Sequence, residues 1–395
     1  MLMVSDMISV ARGGQSESDM RRRAPLRFDR APNPAPVVVW NVSRDCNMTC
    51  PHCYAAARPG LTLGELTTEE GMALLEDLAA TGVRVLIFSG GEPLLRKDLL
   101  SLARRASELG MIPNLSSNGT LIDESTAEAL AEAGVKYVGI SIDGDRAFND
   151  DYRGLADGFD LALRGLRLAK AAGMNTGLRT TITRRTLSAM STPLETMLEL
   201  ARKVEADRFY LAHLVYAGRA HQMVRDDLSV EESRALMLRY FELGKALLEE
   251  GHPLKLVTGS NDSGGPLLLN WLIQHYGSDA ALPVRKLLER RRGNTAGEAM
   301  INIDSKGRVH PDQFWSQATL GDVRQQPLAE ILDHPLVHQL QQREKFLHGR
   351  CAGCRYLAMC RGSHRERALS VHGDLWAPDP ACVMEDQEIL MREVV

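Results

Sequence analysis

The 395-residue sequence predicts an α/β fold, a partial (β/α)6 barrel followed by a C-terminal α+β extension. From residue 37 to about 230, short β-branched runs alternate with helically periodic stretches. That alternation builds a parallel sheet with helices on its outer face. Several periodic stretches close on a glycine, at Gly82, Gly110, Gly134 and Gly173, the residue that most readily ends a helix. Past residue 295 the pattern changes to a hairpin-like segment, short helical stretches and a group of cysteines, which marks a separate module.

In chain order, residues 1–36 read as a flexible N-terminal tail, polar, Arg-rich and ending in Pro32-Asn33-Pro34-Ala35-Pro36. The basic run from Arg21 to Arg27 lacks a following apolar stretch, so it reads as a solvated tail or a docking element for an acidic partner. Order begins with the β-branched strand at 37–42. Further strands are expected at 83–88, 112–116, 137–142, 177–182 and 208–215, with helices near 68–80, 97–109, 123–133, 158–172 and 192–204. Six strands are too few for a closed eight-stranded barrel, so the barrel of residues 37–230 is expected to be open. Residues 231–295 read as a helical bridge. Within 296–395, residues 299–310 suggest a hairpin turning at Asp304-Ser305-Lys306-Gly307.

Composition narrows the function classes. A chain 44% hydrophobic and 25% charged matches an ordinary soluble enzyme. A net charge of −4 argues against nucleic acid as the main partner. No apolar run reaches the ~20 residues needed to cross a bilayer, and the expected location is cytoplasmic.

The seven cysteines fall into two groups, Cys46, Cys50 and Cys53, then Cys351, Cys354, Cys360 and Cys382. An odd total without an export signal argues against a disulfide framework. The first group is a C-x3-C-x2-C array directly after the first strand. Three thiolates can hold three irons of a [4Fe–4S] cube and leave the fourth open to bind a small molecule. Zinc with His52 as a fourth ligand is the alternative, although a ligand adjacent to Cys53 would strain a tetrahedral site. The second group supplies four thiolates, which suit either a fully ligated cluster or a four-cysteine zinc site.

The cysteine array, the Gly90-Gly91-Glu92-Pro93 segment after the second strand and their order along the βα units resemble the radical S-adenosylmethionine (SAM) superfamily. The resemblance implies two [4Fe-4S] clusters, SAM bound at the open iron, and its cleavage to a 5′-deoxyadenosyl radical. It also implies SAM contacts at Gly90, Gly91, Glu92, Pro93, Ser117, Asn118, Ser141, Asp143, Arg153 and Arg179. The second cysteine group is similar to the auxiliary-cluster extensions of the SPASM or twitch type. Segments at 301–324 and 373–382 further resemble the tetrapyrrole-modifying branch, most closely the pre-haem d1 synthase family of denitrifying bacteria. This implies removal of two propionate side chains from 12,18-didecarboxysirohaem, a flavodoxin-like or ferredoxin-like reductant, and neighbouring enzymes of haem d1 formation as partners. His213, at the end of the last expected strand, is a candidate catalytic acid/base or substrate contact, and His310, in the hairpin, a candidate contact to the substrate iron or a propionate, with Arg219 as a further cation near the site. The alternatives are the haem synthase of the sirohaem pathway, a peptide-modifying SPASM enzyme and, in a different class, a zinc-binding scaffold.

Overall fold

The computed structural model describes residues 1–14 and 35–390. One 11-stranded sheet runs through the molecule. Its strands are β1 (Leu2–Met3), β2 (Val37–Ser43), β3 (Val85–Gly90), β4 (Ile112–Ser117), β5 (Tyr137–Ser141), β6 (Asn175–Ile182), β7 (Arg208–His213), β8 (Lys255–Gly259), β9 (Met300–Ile303), β10 (Arg308–His310) and β11 (Gly321–Asp322). The spatial order is β1-β8-β7-β6-β5-β4-β3-β2-β9-β10-β11. Strands β2 to β8 are parallel in sequence order, the simplest outcome of repeated right-handed βα crossovers.

Every residue of β2 is buried, as expected of a parallel strand covered on both faces. The helices opposite carry local start and stop signals. Thr67 and Glu70 form a capping box at the start of Thr68–Ala80. Gly82, Gly110, Gly134 and Gly173 all adopt positive φ, between 82° and 89°, just past their helices.

Two expectations change. The tail was expected to span residues 1–36, but β1 and the helix Val4–Ala11 belong to the core, with Val4 and Ile8 fully buried. β1 pairs antiparallel with β8 and covers the sheet edge there. The basic run at residues 21–27 lies outside the described residues. The expected helical bridge at 231–295 contains helices Val230–Glu249, Gly264–Tyr276 and Ser278–Arg291, and also β8, a seventh parallel strand.

At the other edge the C-terminal module is continuous with the barrel. β9 pairs parallel to β2, in register from Val37↔Met300 to Trp40↔Ile303. β10 and β11 then follow antiparallel as the expected hairpin extends. No helix among the described residues is long and apolar enough to cross a membrane.

Candidate active site

The cysteine loop leaves the C-terminal end of β2, where parallel α/β sheets gather their sites. It packs directly on the two glycines. Gly91 N–H donates to Ser43 O and Glu92 N–H to Asp45 O, both at 2.8 Å. A Cβ on Gly90 would lie 2.3 Å from Ser43 O, and one on Gly91 would lie 2.0 Å from Asp45 O. Gly90 also sits at φ 129°, where a side chain is strained. These glycines therefore admit the backbone that carries Cys46.

Other strand ends hold the loop from its far side. Arg219 donates from Nε to Cys50 O at 2.8 Å, and its N–H donates to Cys53 O at 3.0 Å. Thr49 N–H donates to Arg153 O at 3.0 Å. Burial pushes the Cys46 thiol up to about 12 and the Cys50 thiol up to about 11. Such thiols are poor free nucleophiles, whereas metal ligation removes their protons outright.

The next two strand ends form a polar network behind the loop. Glu92 is fully buried and accepts from Ser117 Oγ at 2.8 Å, Asn118 N–H at 2.8 Å and Leu94 N–H at 3.1 Å. Burial raises its pKa to about 7 against these donors. Pro93 opens the short 3-10 turn Pro93–Leu95 that Glu92 caps. The Asn118 amide donates to Asn47 Oδ1 at 2.7 Å, joining β4 to the cysteine loop.

Asp143 is buried after β5 and binds three groups. Arg153 Nη2 lies 2.5 Å away, His52 Nε2 lies 3.1 Å away, and Thr181 N–H donates at 2.8 Å. Burial opposes ionisation there, but Arg153 and His52 outweigh it and hold the carboxyl well below its ordinary range. Arg153 Nη1 also stands 4.0 Å from Cys50 Sγ. Ser141 pairs in register with Arg179. Arg179 donates to Ser116 Oγ at 2.7 Å, and its guanidinium lies over the rings of Tyr137 and Tyr210. His52 is thus spent on Asp143 and stacked on Tyr152 at 5.0 Å, which leaves little of the zinc alternative for the first group.

The C-terminal module lies against this barrel end. Phe314 meets Tyr54 edge-on at 5.3 Å and His364 at 5.3 Å. His213 is buried, with Nε2 unpartnered, and burial lowers its pKa to about 3, with Arg367 adding to the shift. His310 is fully buried, with Nδ1 2.8 Å from Ala318 O and Nε2 3.4 Å from Asp304, so both ring nitrogens serve its own hairpin.

Arg367 pairs with Asp379 at 3.1 Å and donates to Leu214 O at 3.0 Å, next to His213. Asp379 lies three residues before Cys382. Burial raises all four thiols of the second group. Beyond burial, the charge of Cys351 raises Cys360 and Cys382 further, and that of Cys354 raises Cys351.

His364, Glu366 and Asp312 went unnoticed in the sequence. His364 and Glu366 belong to the charged stretch Ser363-His364-Arg365-Glu366-Arg367, which no local signal marks as buried. A cleft of about 400 Å³ lined by Leu66, Glu70, Arg324 and Pro327 contains none of the site residues.

Seven free cysteines in two groups, each with desolvated thiols, fit two iron–sulfur clusters. The comparisons agree. Residues 40–188 match the radical SAM superfamily model, and residues 295–355 match the iron–sulfur cluster-binding domain model. The chain is 42% identical to the Fe-coproporphyrin III synthase of Methanosarcina barkeri, over 90% of this chain and 89% of that protein. It is also 42% identical to the pre-heme d1 synthase of Dinoroseobacter shibae, over 92% of this chain and 90% of that protein. Among solved structures, Streptococcus suis SuiB bound to S-adenosylmethionine superposes with a TM-score of 0.69 at 16% identity, covering 94% of this chain and 82% of that one.

The chain is an iron–sulfur enzyme with two [4Fe-4S] clusters. It belongs to the radical SAM superfamily, in the group that carries a C-terminal SPASM extension.

Proposed function

We propose that this enzyme removes carboxylate-bearing side chains from an iron tetrapyrrole of haem biosynthesis, with 12,18-didecarboxysirohaem as substrate and its two propionates as the groups lost. The observation that carries this reading is the 42% identity, over nine-tenths of the chain, to two radical SAM proteins named for iron-tetrapyrrole products. When bound, the catalytic cluster and SAM supply a strong abstractor of hydrogen atoms.

The chain's own residues hold and orient the reactants. Cys46, Cys50 and Cys53 hold the catalytic cluster, and Cys351, Cys354, Cys360 and Cys382 hold the auxiliary one. Glu92, braced by Ser117 and Asn118, offers its carboxylate to the SAM ammonium. Gly90, Gly91 and Pro93 set its position. Arg179 has an unpartnered Nε and is the cation best placed for a carboxylate, as guanidinium forks bind that group in two places. Asp143 and Arg153 fix the loop from the other side, and Ser141 adds a hydroxyl at the same rim. His213, neutral and without a partner for Nε2, is the proton carrier or substrate contact at the mouth of the barrel. His310 keeps its hairpin in shape. A flavodoxin-like or ferredoxin-like protein delivers the electron.

A second reading stands on an equal observation, the same identity to the Fe-coproporphyrin III synthase. One experiment separates them. Reconstituted enzyme is given SAM, a reductant and 12,18-didecarboxysirohaem without oxygen, and the product is weighed by mass spectrometry. Loss of two propionates supports the first reading. A product with its propionates intact but other side chains shortened moves the assignment to the second, and an unchanged tetrapyrrole refutes both.

A further inference from the structure

The C-terminal module brings a second unassigned histidine to the barrel mouth. His364 is 3% exposed, and its Nδ1 is buried with no hydrogen-bond partner. Its Nε2 faces the Asp312 carboxylate at 3.8 Å. The tautomer that carries its proton on Nε2 points that proton at Asp312 and leaves the Nδ1 lone pair bare. Histidines that ligate metals have this arrangement, one nitrogen oriented by a carboxylate and the other free for the metal.

Phe314 and Asp379 hold the residue in place. Phe314 packs edge-on against it and against Tyr54, the residue after Cys53. The His364 backbone N–H donates to Asp379 at 2.9 Å, so the buried Arg367–Asp379 pair lies between His364 and the Leu214 carbonyl beside His213. Burial lowers its pKa, so the ring is neutral, as a metal ligand must be.

The other histidines near the site are less suited. His310 has both nitrogens engaged. His52 has the same pattern, Nε2 on Asp143 at 3.1 Å and a bare Nδ1, but it sits inside the cysteine loop next to Cys53 with its ring stacked on Tyr152. His213 has a bare Nε2 but no carboxylate ion-paired to its ring among the described residues.

We propose that His364 supplies an axial nitrogen to the iron of the tetrapyrrole substrate, with Asp312 as the positioning residue that orients it. The inference rests on the tetrapyrrole reading above and deepens it. Iron in the macrocycle would then be a recognition element, and the C-terminal module would contribute to the substrate site as well as the auxiliary cluster.

The test compares 12,18-didecarboxysirohaem with its iron-free form as ligands of the reconstituted holoenzyme, by equilibrium binding and by the absorption band of the bound iron form. The wild type is expected to bind the iron form at least about tenfold more tightly, the worth of one modest metal–ligand contact. His364→Ala should reduce that preference to within about twofold and remove the histidine-ligated spectrum, while metal-free binding stays unchanged and so reports an intact fold. Asp312→Asn should lower the preference part of the way.

Equal binding of the two ligands by the wild type overturns the inference, as does a preference retained in His364→Ala. Loss of the preference in His213→Ala with retention in His364→Ala assigns the ligand to His213 and overturns it too. Failure of the wild type to bind either form refutes the underlying tetrapyrrole reading, and with it this inference.

Discussion

Gly91→Ala tests what the paired glycines are for. The added Cβ would sit 2.0 Å from Asp45 O and 2.7 Å from its carbonyl carbon. Both are backbone atoms, which cannot swing aside as a long side chain can. Relief requires moving the segment that leads into Cys46, and with it the hydrogen bonds Gly91 N–H to Ser43 O and Glu92 N–H to Asp45 O. Overpacking of ~1–3 kcal/mol plus two hydrogen bonds at ~0.5–1.5 kcal/mol each gives roughly 2–6 kcal/mol. At about 1.4 kcal/mol per factor of ten, even the lower figure depopulates the ligand-competent loop about 30-fold. The variant should therefore retain the auxiliary cluster, about four irons per chain, and lose both the catalytic cluster and SAM cleavage. Iron and sulfide analysis with a deoxyadenosine assay reads both. Eight irons with normal cleavage would refute the packing argument. Eight irons with weakened SAM affinity would show instead that Gly91 serves SAM directly.

Three further outcomes follow from buried groups. Burial first, then the charge of Asp312, raises the Glu366 carboxyl from its ordinary 4.5 to about 8. The folded state thus binds the additional proton between those values, so stability falls as pH rises through that window and levels off above it. The loss is at most roughly 4–5 kcal/mol; Glu366→Gln should flatten the dependence of the denaturant midpoint between pH 5 and 8.5, and an unchanged slope would reject the assignment. Ile8→Ala, in the N-terminal helix, should cost about 2–5 kcal/mol by emptying a core position; a melting temperature equal to wild type would return residues 1–14 to a tail. Asp143→Asn leaves the buried Arg153 charge without its counter-ion, a loss of about 3–5 kcal/mol, measurable by chemical denaturation of the protein with both clusters in place.

What the sequence revealed was local. The cysteine spacing, the Gly-Gly-Glu-Pro segment and the helix-ending glycines each occupy a few consecutive residues, and each is found where expected. β8 and β1 were not legible, because five residues and two residues carry too little periodicity to distinguish from their flanks. Their strand character comes from each other and from β7. The buried run Arg365-Glu366-Arg367 was hidden for a related reason. Arg365 donates to the Leu375 and Ala377 carbonyls, and Arg367 to Asp379 and Leu214, so the partners that permit burial lie 10 to 153 residues away. His310 looked available in the sequence because its neighbour Asp304 and the Ala318 carbonyl converge on it only once the hairpin has formed.

The Arg367–Asp379 pair gives a physical reason for treating the two cysteine groups as parts of one site. A buried ion pair adds little net stability compared with apolar side chains of equal volume, so its value lies in fixed geometry. Here the geometry joins three elements. Arg367 donates to the Leu214 carbonyl past β7 and to the Ser260 carbonyl past β8, while Asp379 accepts from His364 N–H and from Ala381 N–H beside Cys382. The barrel rim, the His364 backbone and the auxiliary cysteine loop are therefore set by one pair of side chains. The parallel pairing of β9 with β2 ties the same module to the strand that carries the catalytic cysteines. A change at the auxiliary loop has two short routes to the barrel mouth, one through a strand and one through a buried arginine.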